Sequence, residues 1–265
     1  MPEGDTILWA ATRMRPVLAG QVPDAVTMPA GSASALRGSP GRERWPQRLQ
    51  GRPIERIDTH GKNLLIRFEG DLVLHSHLRM TGAWGVYPPG RRWQRSPGRA
   101  WLVMTRAGTD VVQFDGPVLD LVTAGRARFD QRLAGLGPDV LAASFDYDRF
   151  LARLRGDDPT RPIGDALLDQ RTVSGIGNIW KAEGCWEARI DPWRAVGDVT
   201  DAEAVAVIDG TRPRMLASGT QGPRYAREQV YRKVGRPCPR CGTAIRSRGQ
   251  GEGARMTYWC PGCQH

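Results

Sequence analysis

Two cysteine pairs near the C-terminus constrain this chain more than any other feature. They are Cys238-Pro-Arg-Cys241 and Cys260-Pro-Gly-Cys263, with eighteen residues between them. Two C-x-x-C knuckles at this separation are typical of a tetrahedral site in which four thiolates hold one zinc ion. Because protein fills all four ligand positions, the pattern predicts one structural Zn²⁺ per chain. Residues 243–259 are expected to form a β-hairpin with a loop at 249–253.

Other cysteine chemistry is less well supported. The odd cysteine count and the lack of a signal-peptide pattern argue against a disulfide framework, and the spacing favours zinc over an iron–sulfur cluster. The fifth cysteine, Cys185, is interpreted as a small buried apolar residue. His60, His75 and His77 have no carboxylate partner in the sequence and are interpreted as structural histidines.

The charge of the chain is positive and unevenly distributed. The net charge is +10, and residues 211–265 contain eleven Lys and Arg against two Asp and Glu. A basic block attracts polyanions such as nucleic acid or an anionic membrane surface. The sequence has no run of eighteen apolar residues, so we expect no membrane span and a cytoplasmic location.

Hydrophobic periodicity divides the chain into a β-rich part and a helical part, which predicts an α+β fold. A first helix is expected over 5–18, capped by Asp5 or Thr6. Short apolar runs predict a mostly antiparallel β-domain, and the Pro-, Gly- and Arg-rich residues 88–98 predict a mobile loop. These runs are 54–57, 63–68, 72–77, 100–105 and 111–115. Helices are then expected over 145–154, 163–170, 178–187 and 201–216, the last interrupted by Pro213 and followed by a linker at 219–223.

A glycine-rich turn joins two of the predicted helices. Its sequence is Val173-Ser-Gly-Ile-Gly-Asn178. Gly175 and Gly177 are expected to adopt positive φ, and Asn178 to cap the next helix. Exposed N–H groups at that helix start would offer a phosphate site. The motif alone is weak, and a plain connection between two helices is the alternative. The preceding helix and the lack of a third glycine exclude a dinucleotide fingerprint.

The N-terminus begins Met1-Pro2-Glu3-Gly4-Asp5. A small second residue permits removal of Met1, which would leave a secondary amine at Pro2 beside the carboxylate of Glu3. An α-amine ionises near pH 8, against about 10.4 for lysine, so more of it is a free nucleophile at neutral pH. Proline amines form iminium ions with aldehydes. Pro2 is therefore chemically suited to act as a nucleophile toward an aldehyde carbon, although the two residues alone identify nothing.

Six motifs in a fixed order give these residues a context. The order closely resembles that of the formamidopyrimidine-DNA glycosylase / endonuclease VIII family over essentially the whole chain, and the ending Tyr258-Trp-Cys-Pro-Gly-Cys-Gln-His265 is most similar to the endonuclease VIII branch. The motifs are Pro2-Glu-Gly4, His60-Gly-Lys-Asn-Leu-Leu65, His77-Leu-Arg-Met-Thr-Gly82, Leu136-Gly-Pro-Asp139, Asp169-Gln170 with Gly175-Ile-Gly-Asn178, and the four-cysteine finger with Arg255.

The resemblance implies two domains with DNA in the cleft between them. An antiparallel β-sandwich with flanking helices (1–130) is followed by a helix-two-turn-helix bundle (131–220) and a zinc-finger β-hairpin (221–265). The implied activity is that of a bifunctional DNA glycosylase and AP lyase in base excision repair. Such an enzyme removes an oxidised base and cuts the strand by β,δ-elimination. The expected partner is damaged DNA, double-stranded or partly single-stranded, and the expected oligomeric state is a monomer.

The resemblance also assigns roles to individual residues. Pro2 is the implied nucleophile, Glu3 the implied acid and base, and Lys62 an implied phosphate contact that assists catalysis. Asn178 and Arg255 are the implied contacts to the phosphates that flank the lesion. Met80, with its neighbours Arg79 and Thr81, occupies the place of the residues that fill the gap left by a flipped base.

Substrate preference remains open between the two branches. Residues 217–234 are short and basic and leave little room for the long lesion-capping loop of the formamidopyrimidine branch. Oxidised pyrimidines are therefore favoured, with an oxidised-purine glycosylase as the alternative. Opposite-base and single-strand preferences stay open. A non-catalytic damaged-DNA binding protein would not need Pro2, Glu3 and Lys62 together, and a zinc-ribbon transcription or RNA-binding factor would leave that N-terminus unexplained.

Overall fold

A computed structural model describes residues 2–29, 41–251 and 253–265. The chain forms two compact units. The first holds Pro2 and Thr6–Ala134, and the second holds Glu3–Asp5 and Gly135–His265. The three-part division at 130 and 220 stays a prediction. Within the described ranges, every helix is too short or too polar to cross a membrane.

The first unit is a β-sandwich of two four-stranded antiparallel sheets. One sheet has the order β2-β3-β4-β8, and the other has the order β1-β6-β7-β5. The strands are β1 Ala25–Thr27, β2 Ile54–His60, β3 Asn63–Phe68, β4 Leu72–His77, β5 Ala83–Tyr87, β6 Ala100–Arg106, β7 Thr109–Phe114 and β8 Val118–Thr123. The helices are α1 Gly4–Leu18, α2 Trp45–Leu49, α3 Ala124–Arg128 and α4 Gln131–Ala134.

The core of the first unit lies between its sheets and against α1. Ile66 and Leu74 come from one sheet, Met104 and Val111 from the other, and all four are buried in one cluster. Met14 and other apolar residues of α1 join the same cluster, as their helical spacing predicts. Burial on this scale fixes the register of every strand, because a shift by one residue would turn its apolar side chains outward.

The second unit is helical. Its helices are α5 Tyr147–Arg155, α6 Ile163–Leu168, α7 Asn178–Glu187 and α8 Asp201–Gln221. Helix α8 begins with a capping box, in which Thr200 and Glu203 each accept a hydrogen bond from the other's backbone N–H. Strands β9 Arg246–Gln250 and β10 Arg255–Trp259 form the expected antiparallel hairpin.

Several element boundaries differ from the sequence prediction. Helix α8 continues through Pro213 to Gln221, so the linker predicted at 219–223 begins later. Its final turns remain helical because Met215 and Ser218 are buried and extend the packed face. Strands β1, β5 and β8 were not predicted, because the first is only three residues long and the others lack a continuous apolar run.

Residues 88–98, for which a mobile loop is predicted, carry specific contacts. The ring of Trp93 lies 5.9 Å from that of Phe114 and 6.3 Å from that of Tyr87. Its indole N–H donates to Asp110 over 3.1 Å. Packing of this kind fastens the middle of the segment to strand β7, while Arg91 and Arg92 remain exposed.

Candidate nucleic-acid interface and metal centre

Glu3 lies buried at the start of helix α7. Its Oε1 accepts a hydrogen bond from Ile179 N (2.8 Å), and its Oε2 accepts from Gly177 N (2.9 Å) and Trp180 N (3.3 Å). The first N–H groups of a helix have no partner within the helix and carry partial positive charge, so a carboxylate is well placed there. Glu3 therefore occupies the helix start that the sequence suggests as a phosphate site.

The glycine turn before α7 is shaped to receive that carboxylate. Gly175 has φ 102°, as expected, whereas Gly177 is extended at φ −126°. A Cβ atom at Gly177 would lie 2.4 Å from the carboxyl carbon of Glu3. Gly177 is therefore required for close approach and not for positive φ.

Gln170 and the Leu136–Asp139 motif fix the same turn. Gln170 Oε1 accepts from Gly175 N (3.1 Å), and its Nε2 donates to Ile176 O (2.9 Å). Ser174 N donates to Pro138 O over 2.9 Å. The Leu136–Asp139 motif thus supports the glycine turn, and Gln170 braces the turn from within the same motif.

Asn178 is the first residue of α7 and does not cap it. The cap position belongs to Gly177, which makes no side-chain bond. Asn178 Nδ2 instead donates to Met256 O of the hairpin over 2.8 Å. Its buried Oδ1 has no hydrogen-bond partner within the structure. The predicted capping role is therefore wrong, since the side chain turns toward strand β10.

A buried lysine that the sequence analysis did not assign lies one turn further along α7. Lys181 has no exposed surface, and its ammonium donates to Gln250 Oε1 (3.1 Å) and to Thr257 Oγ1. Thr257 donates to Gln250 Oε1 (2.9 Å), and Gln250 Nε2 donates to Pro192 O (2.8 Å). Burial lowers the pKa of Lys181 to about 8. The only sequence signal was a polar residue on a helix that is otherwise almost fully buried.

The four paired cysteines converge on one point. Their sulfur atoms lie within 4.8 Å of one another, with Cys238 and Cys263 3.9 Å apart and Cys241 and Cys260 3.3 Å apart. Sulfurs bound to a tetrahedral zinc ion at about 2.3 Å would lie about 3.8 Å apart. Trp186 Nε1 donates to Cys238 Sγ over 3.3 Å, as neighbouring N–H groups do around metal-bound thiolates. The donor set can hold a metal ion.

Cys185 and the histidines behave as structural residues. Cys185 is fully buried, and burial raises the pKa of its thiol to about 12. His75 Nε2 lies 2.9 Å from Asn63 Oδ1, within sheet β2-β3-β4-β8. In the part of the chain that the structure describes, the only metal-competent group of His, Cys, Asp or Glu side chains is the four-cysteine set.

Arginines project from the hairpin. Arg246, Arg248 and Arg255 are exposed, and the guanidinium of Arg248 lies 4.4 Å from the ring centre of Trp193. Arg255 lines a cavity of about 520 Å³ that also holds the ion pairs of Asp169 with Arg161 and Arg171. Guanidinium groups form bidentate contacts with phosphate oxygens, so the exposed arginines of the hairpin suit a polyanion.

The remaining predicted site residues lie in the first unit. Pro2 is half-buried, and Lys62 is half-buried in the two-residue turn between β2 and β3. Asn63 stabilises that turn by donating to His60 O over 3.1 Å. Met80 is 67% exposed in the connection between β4 and β5, and Arg79 beside it has φ 49°. The structure places Pro2, Lys62, Arg79 and Met80 in one unit and Glu3, Asn178, Arg255 and the cysteines in the other.

The sandwich, the glycine turn between helices and the four-cysteine hairpin together define a helix-two-turn-helix DNA-repair protein. Residues 1–119 match the family model of the formamidopyrimidine-DNA glycosylase N-terminal domain, and residues 136–220 match that of the H2TH domain. The chain belongs to the formamidopyrimidine-DNA glycosylase family and is similar to members named endonuclease 8.

Curated relatives and solved structures agree with this assignment. Probable endonuclease 8 2 of Streptomyces coelicolor is 39% identical, over 100% of this chain and 94% of the relative. DNA-(apurinic or apyrimidinic site) lyase Nei2 of Mycolicibacterium smegmatis is 32% identical, over 100% and 99%. The structure of Lactococcus lactis Fpg (MutM) in complex with DNA containing N7-benzyl-Fapy-dG superposes with a TM-score of 0.81, at 25% identity and 100% coverage of both chains.

Proposed function

We propose that this chain excises oxidised bases from DNA and cuts the strand, with the amine of Pro2 as its nucleophile. Members of its family are DNA glycosylases with AP lyase activity, and the chain is an enzyme of this class in base excision repair. The observation that carries the finer assignment is Glu3, whose buried carboxylate accepts three backbone N–H groups directly next to Pro2. Three backbone donors hold that carboxylate in one orientation at the residue that follows Pro2 in the chain.

The chemistry follows from these two groups once Met1 has been removed. The Pro2 nitrogen attacks C1′ of the damaged nucleotide, and the base leaves with a proton. The Pro2 nitrogen then loses its proton, the C1′–O4′ bond breaks as O4′ is protonated, and the opened sugar is left as an iminium ion at C1′. This iminium ion acidifies the 2′ carbon, and loss of a 2′ proton expels the 3′ phosphate in β-elimination. A second elimination expels the 5′ phosphate and leaves a one-nucleotide gap. Glu3 carries the proton transfers, because a single carboxyl group can act as acid in one step and as base in the next.

The DNA contacts divide between the two units. Lys62 in the first unit, and Asn178 and Arg255 in the second, are proposed to bind phosphates around the lesion. Met80, with Arg79, is proposed as the wedge that enters the stack when the base is extruded, which costs a few kcal/mol. The exposed thioether of Met80 supports this role, since a buried methionine would be a core residue.

The cysteine centre is proposed to hold one structural Zn²⁺ per chain through Cys238, Cys241, Cys260 and Cys263. Zinc would cross-link the two knuckles and keep the hairpin that carries Arg255 folded. No ligand position is left for water, so the ion takes no part in the reaction.

Oxidised pyrimidines are the proposed substrates. Helix α8 extends to Gln221 and a turn at Pro223–Tyr225 follows at once, which leaves only a short segment before the finger. A long lesion-capping loop does not fit in that length. Damaged DNA is the proposed partner of a monomer, and a cytoplasmic, nucleoid-associated location stays a prediction based on that role.

Trapping with borohydride tests the proposal. We expect a covalent protein–DNA adduct on duplexes that contain thymine glycol or an abasic site, and a smaller yield on 8-oxoguanine. The adduct should be lost for Pro2→Gly and for a protein with an extension before Pro2, while DNA binding persists. Binding without adduct or cleavage in the processed wild type would overturn the enzyme assignment. A preference for 8-oxoguanine would overturn only the substrate class.

A further inference from the structure

The connection that carries Met80 is a closed turn whose two ends are fixed. We call residues 78–82 the wedge loop. Leu78 is 2% exposed, and Gly82 N donates to Leu78 O over 2.9 Å, which closes the turn. Arg79 N donates to His77 Nδ1 over 3.1 Å. Met80 projects from the middle of a turn that is anchored on both sides.

Two charged residues outside the wedge loop contact it at Thr81, the residue after Met80. Arg95 Nη1 donates to Thr81 O (2.7 Å) and to Asp115 Oδ2 (2.6 Å). Thr81 Oγ1 donates to Asp115 O over 3.3 Å. Arg95 and Asp115 thus contact each other and both contact Thr81, the residue after Met80. The side chains are 29% and 21% exposed, so solvent screens this pair less than a fully exposed one.

The backbone on both sides of these contacts is unfavourable. Arg79 has φ 49° and Asp115 has φ 46°, and both are non-glycine residues in the left-handed region. Such conformations are unfavourable for residues that carry a Cβ atom and persist only where surrounding contacts hold them. Arg95 ties one of these positions to the loop, because it contacts Asp115 and also reaches Thr81 O, two residues after Arg79. The hydrogen bond from Thr81 Oγ1 to Asp115 O is a second and longer link between the same two segments.

We propose that Arg95, paired with Asp115, is a positioning residue that holds Met80 ready for insertion before DNA binds. This inference rests on the proposed wedge role of Met80. A wedge that is already ordered loses less conformational entropy when it enters the stack, so extrusion of a paired nucleotide becomes faster. Once a nucleotide is unpaired, the wedge has no stack to open, and the contribution of Arg95 disappears.

The test compares Arg95→Gln with a matched variant of the same cluster. Arg99 also pairs with Asp115, at 2.7 Å, but none of its hydrogen bonds reaches Thr81. Single-turnover cleavage is measured on an abasic site in a full duplex and on the same site within a bubble of unpaired bases. We expect Arg95→Gln to be about tenfold slower on the duplex, in line with one lost charge-assisted hydrogen bond, and unchanged on the bubble. Arg99→Gln should match wild type on both substrates.

Further variants distinguish the positioning role of Arg95 from the wedge role of Met80 on which it rests. Arg95→Lys keeps the charge and a single donor nitrogen in place of the guanidinium fork, and should recover part of the duplex rate. Equal slowing of Arg95→Gln on duplex and bubble, or equal slowing of Arg99→Gln, would reduce the pair to a general structural role and overturn the inference. If Met80→Ala slows duplex cleavage and Arg95→Gln does not, only the inference fails. If Met80→Ala has no effect, the wedge assignment itself fails.

Discussion

The wedge loop and the zinc hairpin are both proposed to touch DNA, but they are fixed by different kinds of contact. Two partly buried charged side chains, Arg95 and Asp115, hold the wedge loop. A buried network of Lys181, Gln250 and Thr257 holds the hairpin, together with four convergent cysteines. A partly exposed network is weaker and more adjustable than a buried one, in which loss of a member is costly when it leaves another polar group without a partner. We therefore expect loss of a cysteine ligand to disrupt the whole hairpin, and substitutions around the wedge loop to have smaller, graded effects.

Loss of a cysteine ligand should give the largest effect. Cys260→Ser, or removal of metal by a chelator, should unfold the hairpin and take Arg255 out of position. We expect DNA affinity to fall by about 100-fold or more in a fluorescence anisotropy titration at fixed salt, because phosphate contacts supply most of the binding energy. Zinc content is measured on the same samples.

Cys185→Ala is the matched control for that experiment. Cys185 is buried on α7, and its sulfur is outside the metal-competent set. The variant should keep its zinc and nearly all of its DNA affinity. Undiminished affinity of zinc-free Cys260→Ser would mean that the hairpin is not a DNA contact.

Glu3→Gln should have the next largest effect. The amide has one oxygen in place of two, and its NH₂ group would face the N–H groups of the α7 turn. We expect the single-turnover cleavage rate to fall by about 100-fold from lost proton transfer, and the free energy of unfolding to fall by about 1–3 kcal/mol. Rate and urea denaturation are both needed, because a rate loss with no change in stability would separate the chemical role from the structural one.

Gln170→Ala provides the comparison for Glu3→Gln. It removes two hydrogen bonds from the same turn but leaves the carboxylate in place. A similar loss of stability with a much smaller loss of rate is expected. If both variants lose the same activity, Glu3 acts only by shaping the turn.

Lys181→Met tests whether the buried ammonium of Lys181 adds to the free energy of unfolding or only fixes the conformation of the hairpin. Because the pKa of Lys181 is lowered to about 8, its ammonium is penalised in the folded state. That cost is fully present below pH 8 and is relieved as pH rises toward 10.4, where the unfolded chain still holds the proton. Wild type should therefore gain about 2–3 kcal/mol relative to Lys181→Met between pH 8 and 10.5, measured by urea unfolding.

The comparison at neutral pH completes that experiment. A well-packed apolar residue in place of a buried charge is often neutral or stabilising, so Lys181→Met should be no less stable than wild type at pH 7. If the free energies of unfolding of wild type and Lys181→Met change in parallel across the alkaline range, burial does not penalise the charge of Lys181. A large loss of stability at pH 7 would show that its hydrogen bonds outweigh the cost of its charge.

The two regions also differ in how far the sequence predicted them. Knuckle spacing predicted the cysteine centre, and apolar periodicity predicted strands β3 and β4 and helix α7 at their observed bounds. Local sequence patterns could not show that the carboxylate of Glu3 lies at the start of α7, because Glu3 and Gly177 are 174 positions apart in the chain. For the same reason, local patterns did not identify the roles of Lys181 and Arg95. Each gains its role from a long-range contact, which local spacing along the sequence does not reveal.

The smallest expected effect lies beside the wedge loop, at His77. Burial lowers the pKa of His77 to about 4, with further lowering from the charges of Arg79, His75 and Lys62. The folded state thus prefers the neutral ring, which accepts from Arg79 N. The stability that the neutral ring contributes is fully present above pH 6.5 and is lost as pH falls toward 4, by about 1–2 kcal/mol for a partly exposed group.

His77→Gln should flatten this part of the urea-unfolding profile. Hydrogen exchange of the Arg79 amide should accelerate in wild type over the same range, after correction for intrinsic rates. Equal acid sensitivity of the two proteins would show that the ring does not hold the wedge loop.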